Sequence, residues 1–178
     1  MLIALFVVAL ASAQTAEKPE ATSLLGKPLF APSQPAEARE RLEKNLAAAR
    51  AEFEKDPGSV DAAIWLGRRT AYLGRYRDAI GVFTAPIQKH PSDPRLYRHR
   101  GHRYISVREL HKAIADVSKA ASLIAGRPDE VEPDGQPNAK NIPTSTLKTN
   151  IYYHLGLAHY LQGNFAAAAD AYKVCMVD

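Results

Sequence analysis

The chain has 178 residues, of which 46% are hydrophobic and 24% charged, a composition that excludes general disorder and fits a soluble globular domain with one core. Its single cysteine, Cys175, excludes a fold held together by internal disulfides. The formal net charge of +4 is mildly basic, so the distribution of charge along the chain matters more than the total.

Residues 1–13 predict a signal peptide, because an apolar run from Leu2 to Leu10 precedes Ala11-Ser12-Ala13, the small-x-small pattern of a cleavage site. No Lys or Arg precedes the run, so the amino terminus would supply the positive charge or the true start lies upstream. The run is shorter than the roughly 20 residues of a membrane-spanning helix. We therefore expect cleavage near Ala13, a periplasmic or secreted location and no integral membrane anchor; a buried helix is the alternative.

Residues 14–35 contain four prolines and no sustained period, which predicts an extended linker. Residues 36–178 are predicted to form one helical domain. Its first helix, Ala36 to Lys55, has apolar residues at helical spacing and ends at Asp56-Pro57-Gly58. We expect this helix to cap the array of repeats that follows.

Three segments share one internal spacing. They open at Gly67, Gly101 and Gly156. The interval between the first two glycines matches a helical-repeat period of about 34 residues. In each segment a small residue and then a large one follow the glycine at constant intervals: these are Ala79, Ala113 and Ala168, then Phe83, Val117 and Tyr172. Small residues on facing helices allow the helices to approach closely.

The middle segment departs from the pattern at two positions. It has Arg108 where the other segments have the turn glycines Gly74 and Gly163, so a less tight turn is expected. It also has Arg100 where the others have leucine, and we expect this side chain to lay its stem over the core with its guanidinium in water.

Glycine, alanine, aromatic and proline at these spacings over residues 60–178 resemble the tetratricopeptide repeat (TPR) family. The resemblance implies an all-α fold, a right-handed α-solenoid of antiparallel helix pairs with about three repeats plus an N-terminal helix. The repeats are predicted at 60–93, 94–124 and 149–178. The resemblance also implies a scaffold for protein–protein interaction.

The first helices of such pairs line a concave groove, which would be basic and aromatic here. Candidate ligand-binding residues are Arg68, Tyr72, Arg98, His102, Tyr153 and Tyr160. Residues 95–112 contain six Lys or Arg against one acid, a local charge of +5. Arginines bind carboxylates bidentately, so an acidic or extended peptide is the predicted partner. The alternative interpretation of these charges is a solvated face that provides solubility.

Residues 125–148 are predicted to be an insertion, because the interval from Gly101 to Gly156 is more than half as long again as that from Gly67 to Gly101. The insertion is rich in proline and glycine and has four acids between Asp129 and Asp134. One hypothesis is that it folds back on the basic groove as an internal competitor; the alternative is a solvated loop.

The last repeat ends at Asp178 within its second helix, leaving an apolar stripe from Phe165 to Met176. This favours either a truncated part of a longer array or a self-association surface, and the alternative function is a structural segment of a larger envelope assembly.

Other functions are disfavoured by the sequence. His99 and His102 are close enough along one helix to join His111 at a metal, but no carboxylate or cysteine pair accompanies them. Catalytic and phosphate-binding motifs are missing, and the predicted export argues against nucleic acid. We therefore predict no enzyme activity, no catalytic residue, no metal and no cofactor.

Overall fold

The computed structural model describes residues 18–133, 140 and 145–176, so the predicted signal peptide lies outside the described residues. The described residues form seven helices and only two short strands, which confirms the all-α prediction. The helices are α1 (Ala36–Lys55), α2 (Val60–Tyr72), α3 (Tyr76–Lys89), α4 (Pro94–Ser106), α5 (Leu110–Ile124), α6 (Leu147–Leu161) and α7 (Phe165–Met176). They pack as three consecutive pairs, α2 with α3, α4 with α5 and α6 with α7, and α1 packs on α2.

The first helix of each pair begins at a residue whose side chain caps it. The side chains of Ser59 and Thr146 accept hydrogen bonds from the backbone N–H groups of Ala62 and Thr149, and Asp93 accepts one from the N–H of Arg95. Such caps satisfy backbone donors that have no partner inside the helix and stabilise it by about 1 kcal/mol each. The groove-lining helices therefore start at points fixed by the local sequence.

The turn inside each pair uses one left-handed residue. Gly74, Arg108 and Gly163 have φ values of +78°, +64° and +85°. The N–H groups of Arg108 and Gly163 donate to the carbonyls of Ile105 and Tyr160, at 3.1 and 3.0 Å. The expectation of a looser middle turn was therefore wrong: Arg108 adopts the conformation that glycine takes elsewhere, at a cost of about 1 kcal/mol.

The repeated glycines face the repeated large residues directly. A Cβ added at Gly67 would enter the ring of Phe83, and one added at Gly101 would lie 2.5 Å from Val117 Cγ2. Phe83 and Val117 are almost fully buried. Gly156 faces the ring of Tyr172 in the same way. The constant spacing of glycine and large residue in the sequence therefore marks the contact that holds each helix pair together.

Arg100 does not keep its guanidinium in water, contrary to the sequence-based expectation. Its Nε and Nη2 atoms donate to the two carboxylate oxygens of Asp116 at 2.7 and 2.8 Å, and Nη1 lies 3.3 Å from Thr84 Oγ1. Both charged side chains are largely buried. An acid on the facing helix of the same repeat, Asp116 on α5, therefore compensates the arginine that replaces leucine. The sequence of α4 alone could not show this partner.

The segment before α1 is not simply an extended linker. Strands β1 (Ala21–Thr22) and β2 (Pro28–Leu29) pair antiparallel. Glu20 then anchors the hairpin to α3, because its carboxylate and carbonyl oxygens accept hydrogen bonds from the backbone N–H and the Nε of Arg77, both at 2.9 Å. The sequence offered no periodicity here because such short strands cannot show one.

The two ends of the insertion pair with each other just before α6. Val131 forms an antiparallel bridge with Thr146, and the N–H groups of Glu132 and Leu147 donate to Ser145 and Glu130 carbonyls at 3.0 and 2.8 Å. We call these paired residues, 130–132 and 145–147, the insertion stem. None of the described helices is both long and apolar enough to span a membrane.

Candidate functional site

A cavity of about 330 Å³ lies between the first helices of the three pairs, α2, α4 and α6. Its volume is at the lower end of the range typical of ligand sites. Its lining within the described chain is basic and aromatic and includes no acid. The lining residues are Gly67, Arg68, Tyr72, Phe83, Arg98, His99, His102, Arg103, Asn150, Tyr153 and His154. We refer to this cavity as the basic groove.

The basic groove brings together five of the six residues that the sequence singled out, namely Arg68, Tyr72, Arg98, His102 and Tyr153. Tyr72 and Tyr153 are 38% and 48% exposed, so they are accessible to a partner. The sixth residue, Tyr160, lies elsewhere: it is close to the end of α6, and its ring centroid is 5.5 Å from that of Phe165.

Arg98 is the most deeply buried cation of the groove. Its Nη1 donates to His99 Nδ1 and its Nη2 to Glu132 Oε2, both at 2.9 Å. Its Nε is buried and has no hydrogen-bond partner among the described residues. A buried polar atom without a partner costs free energy, and such atoms are rare in native proteins. This donor therefore marks a position at which an acceptor from a ligand would be stabilised.

The groove brings three arginine side chains, Arg68, Arg98 and Arg103, around one cavity. Burial lowers the pKa of Arg98 to about 10. The attraction of Glu132 acts against this shift, and the repulsion from Arg68 and Arg103 adds to it. Burial also lowers the pKa of Arg103, with Arg68 adding to the effect. The lowered pKa values of Arg98 and Arg103 show that these two cations would gain from a nearby anion.

Three histidines complete the wall of the groove and are neutral at pH 7. Burial lowers the pKa of His99 and of His102 well below the usual value and that of His154 to about 4, and the neighbouring arginines lower them further. His99 accepts from Arg98 through Nδ1, whereas His154 Nδ1 donates to the Asn150 carbonyl at 2.6 Å. These bonds fix opposite tautomers for the two rings.

The basic run at residues 95–112 does not form one surface. Arg95 is bound to Asp93 and Asp61, and Arg100 is bound to Asp116. The exposed Lys112 pairs with Glu109. Only part of the +5 charge seen in the sequence, Arg98 and Arg103, faces the groove, and Arg68 joins them from α2.

Sequence reasoning missed four polar groove residues: His99, Arg103, Asn150 and His154. One signal was available for His154, since it follows His99 at the same interval at which Gly156 follows Gly101. For Asn150 the sequence gave no signal, because its place depends on where α6 begins.

The three histidines weighed as metal ligands do not come together. His111 lies against Gln162, 2.9 Å away, while the ring of His102 lies tilted against that of His154 with centroids 4.1 Å apart. Across residues 18–133 and 145–176 no three histidine, cysteine or acidic side chains are arranged to hold a metal ion. The absence of an enzyme activity stays a prediction.

A second and larger cavity, of about 490 Å³, lies at the ends of α3 and α5 and the starts of α4 and α6. Two of its three acids already have structural tasks: Asp93 caps α4 and binds Arg95, and Asp129 accepts from the Lys148 N–H at 3.0 Å. Because it has no buried polar atom without a partner such as Arg98 Nε among the described residues, the second cavity is a weaker candidate for a binding site than the basic groove.

Known structures with this arrangement of helices include two of MamA. MamA 41-end from Desulfovibrio magneticus RS-1 superposes with a TM-score of 0.56 at 18% identity, covering 77% of this chain and 66% of that one. A crystal structure of MamA gives 0.57 at 18% identity, covering 82% and 75%. Combined with the repeat period and the glycine contacts, these similarities decide the fold. The chain has a tetratricopeptide-like fold.

The present TPR-like chain spans about two thirds of the length of the first MamA structure. The second TPR of Spaghetti (RPAP3) bound to the HSP90 peptide SRMEEVD matches with a TM-score of 0.49 at 14% identity, which is too low to indicate more than a general likeness. No protein-family model and no curated protein sequence matches the chain. At these identities the comparisons establish the fold alone.

Proposed function

We propose that this protein is a protein-interaction scaffold that binds an acidic, extended segment of a partner in the basic groove. The observation that carries the proposal is the buried Arg98, whose Nε lacks a hydrogen-bond partner among the described residues, in a cavity lined by two further arginines. A carboxylate would supply the acceptor that Arg98 Nε lacks among the described residues. The exposed rings of Tyr72 and Tyr153 would add contact area at low entropic cost.

The test is fluorescence anisotropy with a short labelled peptide of alternating Glu and Ala, and with its Gln-for-Glu counterpart. We expect the acidic peptide to bind and the neutral one to bind at least tenfold more weakly. Arg68→Ala/Arg98→Ala should remove most of the affinity, because truncating a buried charge partner weakens binding strongly. Raising the salt concentration should weaken binding as well.

The matched control is Arg39→Ala/Arg50→Ala, which removes the same charge from exposed positions on α1. If the control weakens binding as much as the groove variant, net charge and not the groove attracts the peptide, and the proposal is wrong. If only the groove variant weakens binding, a pull-down from an envelope extract with the same variants, followed by mass spectrometry, identifies the natural partner.

We also propose that the protein acts in the periplasm or outside the cell, on the basis of the sequence of residues 1–13. The expected mature chain begins at Gln14. Mass determination of the protein recovered from an extracytoplasmic fraction checks this, and an intact amino terminus on cytoplasmic protein would refute it.

The second candidate function is assembly through the C-terminal helix. It is favoured by one observation: Tyr160, Phe165 and Met176 are 56%, 63% and 80% exposed on the α6–α7 pair. Exposed apolar groups of this size are characteristic of interaction surfaces. Sedimentation velocity should then show an oligomer that Phe165→Glu dissociates. A monomer at micromolar concentration would leave the basic groove as the better-supported site.

A further inference from the structure

The fork of nitrogen donors on Arg98 is only half occupied. Arg100, which lies close by on α4, binds Asp116 through both Nε and Nη2. Arg98 presents the same fork, but Glu132 bonds only to Nη2, at 2.9 Å, and Nε has no partner in the described chain. A carboxylate that engages both donors makes the stronger, bidentate pair. Glu132 is therefore an incomplete partner for Arg98.

Glu132 reaches the groove from outside the repeats. It belongs to the insertion stem, where its N–H donates to the Ser145 carbonyl and the neighbouring Val131 is bridged to Thr146. The stem thus holds its carboxylate against a groove cation, although the repeat pattern has no position for this acid. Both charged side chains of the pair are about nine-tenths buried.

The arginines offset only part of the cost of burying the charge of Glu132. Burial raises the pKa of its carboxyl group, and the attraction of Arg98 and Arg68 offsets that effect only in part. Buried ion pairs often return less than their desolvation costs, unless their geometry is excellent. A ligand carboxylate that bonds to both Nε and Nη2 of Arg98 would therefore form the better pair.

We infer that Glu132 is an internal pseudo-ligand, whose carboxylate holds the place on Arg98 that a carboxylate of the partner takes and competes with it for that place. This inference rests on the proposed function of the basic groove. The insertion stem then regulates the groove. The affinity for an acidic segment depends on the free energy of the partner's bonds to Arg98 minus that of the bond that Glu132 gives up.

The test is the affinity of Glu132→Gln for the labelled Glu-Ala peptide. Removing the competing charge should tighten binding roughly fivefold, the effect of a coupling of ordinary size. The matched control is Glu130→Gln, an exposed acid on the same stem, which changes the net charge equally and should alter affinity less than twofold. Glu132→Ala is measured in parallel, because the Gln amide oxygen can still accept from Arg98.

The gain should disappear when Arg98→Ala is combined with Glu132→Gln, since there is then no shared site to compete for. Unchanged or weaker binding by both Glu132 variants, with groove-dependent binding of the unmodified chain intact, would overturn the inference and leave the proposed function standing. Absence of peptide binding by every variant, with thermal unfolding showing that all are folded, would overturn both.

Discussion

Two nearby arginines on α4 show opposite relations to the fold. Arg100 lies against Asp116 of the same repeat. Its Nε and Nη2 both donate to the Asp116 carboxylate, and these bonds raise the pKa of Arg100. Arg98 faces the basic groove with one donor unbonded among the described residues, and burial lowers its pKa. Burial alone therefore does not make a charge structural. Under the proposed function, an arginine whose Nε and Nη2 are both bonded within the fold is structural, and one with a donor left over is available to a ligand.

The sharpest way to break this comparison is to remove the two carboxylates in turn. We expect Asp116→Ala to lower the free energy of unfolding by about 3–5 kcal/mol, because it leaves Arg100 buried without a partner. Glu132→Ala should cost less, because Glu132 makes one hydrogen bond to Arg98 where Asp116 makes two to Arg100. Urea denaturation measures both.

A double variant that removes both charges of the Arg100–Asp116 pair separates the loss of the ion pair from the loss of packing. Arg100→Leu/Asp116→Ala restores the leucine that the other repeats have, and should recover most of the loss. Equal losses in Asp116→Ala and Glu132→Ala would mean that the two arginines are bound to the fold in the same way.

Acid pH should destabilise the protein through the three buried histidines of the basic groove. A histidine whose folded pKa is depressed stays neutral in the fold but takes up a proton when unfolded, so stability present at pH 7 is lost as the pH falls through the unfolded value of about 6.5. With its pKa at about 4, His154 alone accounts for about 2 kcal/mol between pH 7 and pH 5. His99 and His102 act in the same direction.

The opposing group is Glu132, whose raised pKa makes its protonation favour the fold slightly as the pH falls. Thermal unfolding between pH 7.5 and 4.5 measures the sum. His154→Gln should flatten this dependence, whereas His111→Gln, on the far side near Gln162, should leave it unchanged. An equally steep loss in His154→Gln would show that protonation of the groove histidines is not its cause.

The smallest effect is expected at a third arginine, Arg108, just past the end of α4. Its φ of +64° is unfavourable for a residue with a Cβ. Arg108→Gly should stabilise the protein by about 0.5–1 kcal/mol, the relief of strain less the extra flexibility of glycine in the unfolded chain. A rise of the unfolding midpoint in urea checks this, and Arg108→Ala, which keeps the strain, serves as the control.

Sequence reasoning predicted the solenoid because its determinants are local and repeated. The facing positions of Gly67 and Phe83 recur in every repeat, and the helix starts at Ser59 and Asp93 are separated by the same interval as the first two repeat glycines. Close packing and capping both leave residue types at set intervals, so the pattern survives in one sequence. The structure places the three pairs at residues 60–89, 94–124 and 147–176.

The candidate site was predictable only where it follows the same repeat. Arg68, Arg98 and His102 occupy equivalent or adjacent faces of first helices, and they meet in the groove. The partners of the arginines were not predictable. Asp116 pairs with Arg100 and Glu132 with Arg98, and both acids are set by tertiary contacts that no periodicity records. The hypothesis of a competing insertion named the region without identifying the residue.

The pairwise packing of the helices has a kinetic consequence. Because most contacts join neighbours in the chain, such as α4 with α5 and α6 with α7, ordering one pair closes short loops and requires no distant segment. Structure can then start in any pair and spread to the next, as in other linear arrays. The Glu132–Arg98 contact falls outside this scheme, because it couples the opening of the insertion stem to a helix of the previous pair. A partner that displaces Glu132 would therefore also change how cooperatively the last two pairs unfold.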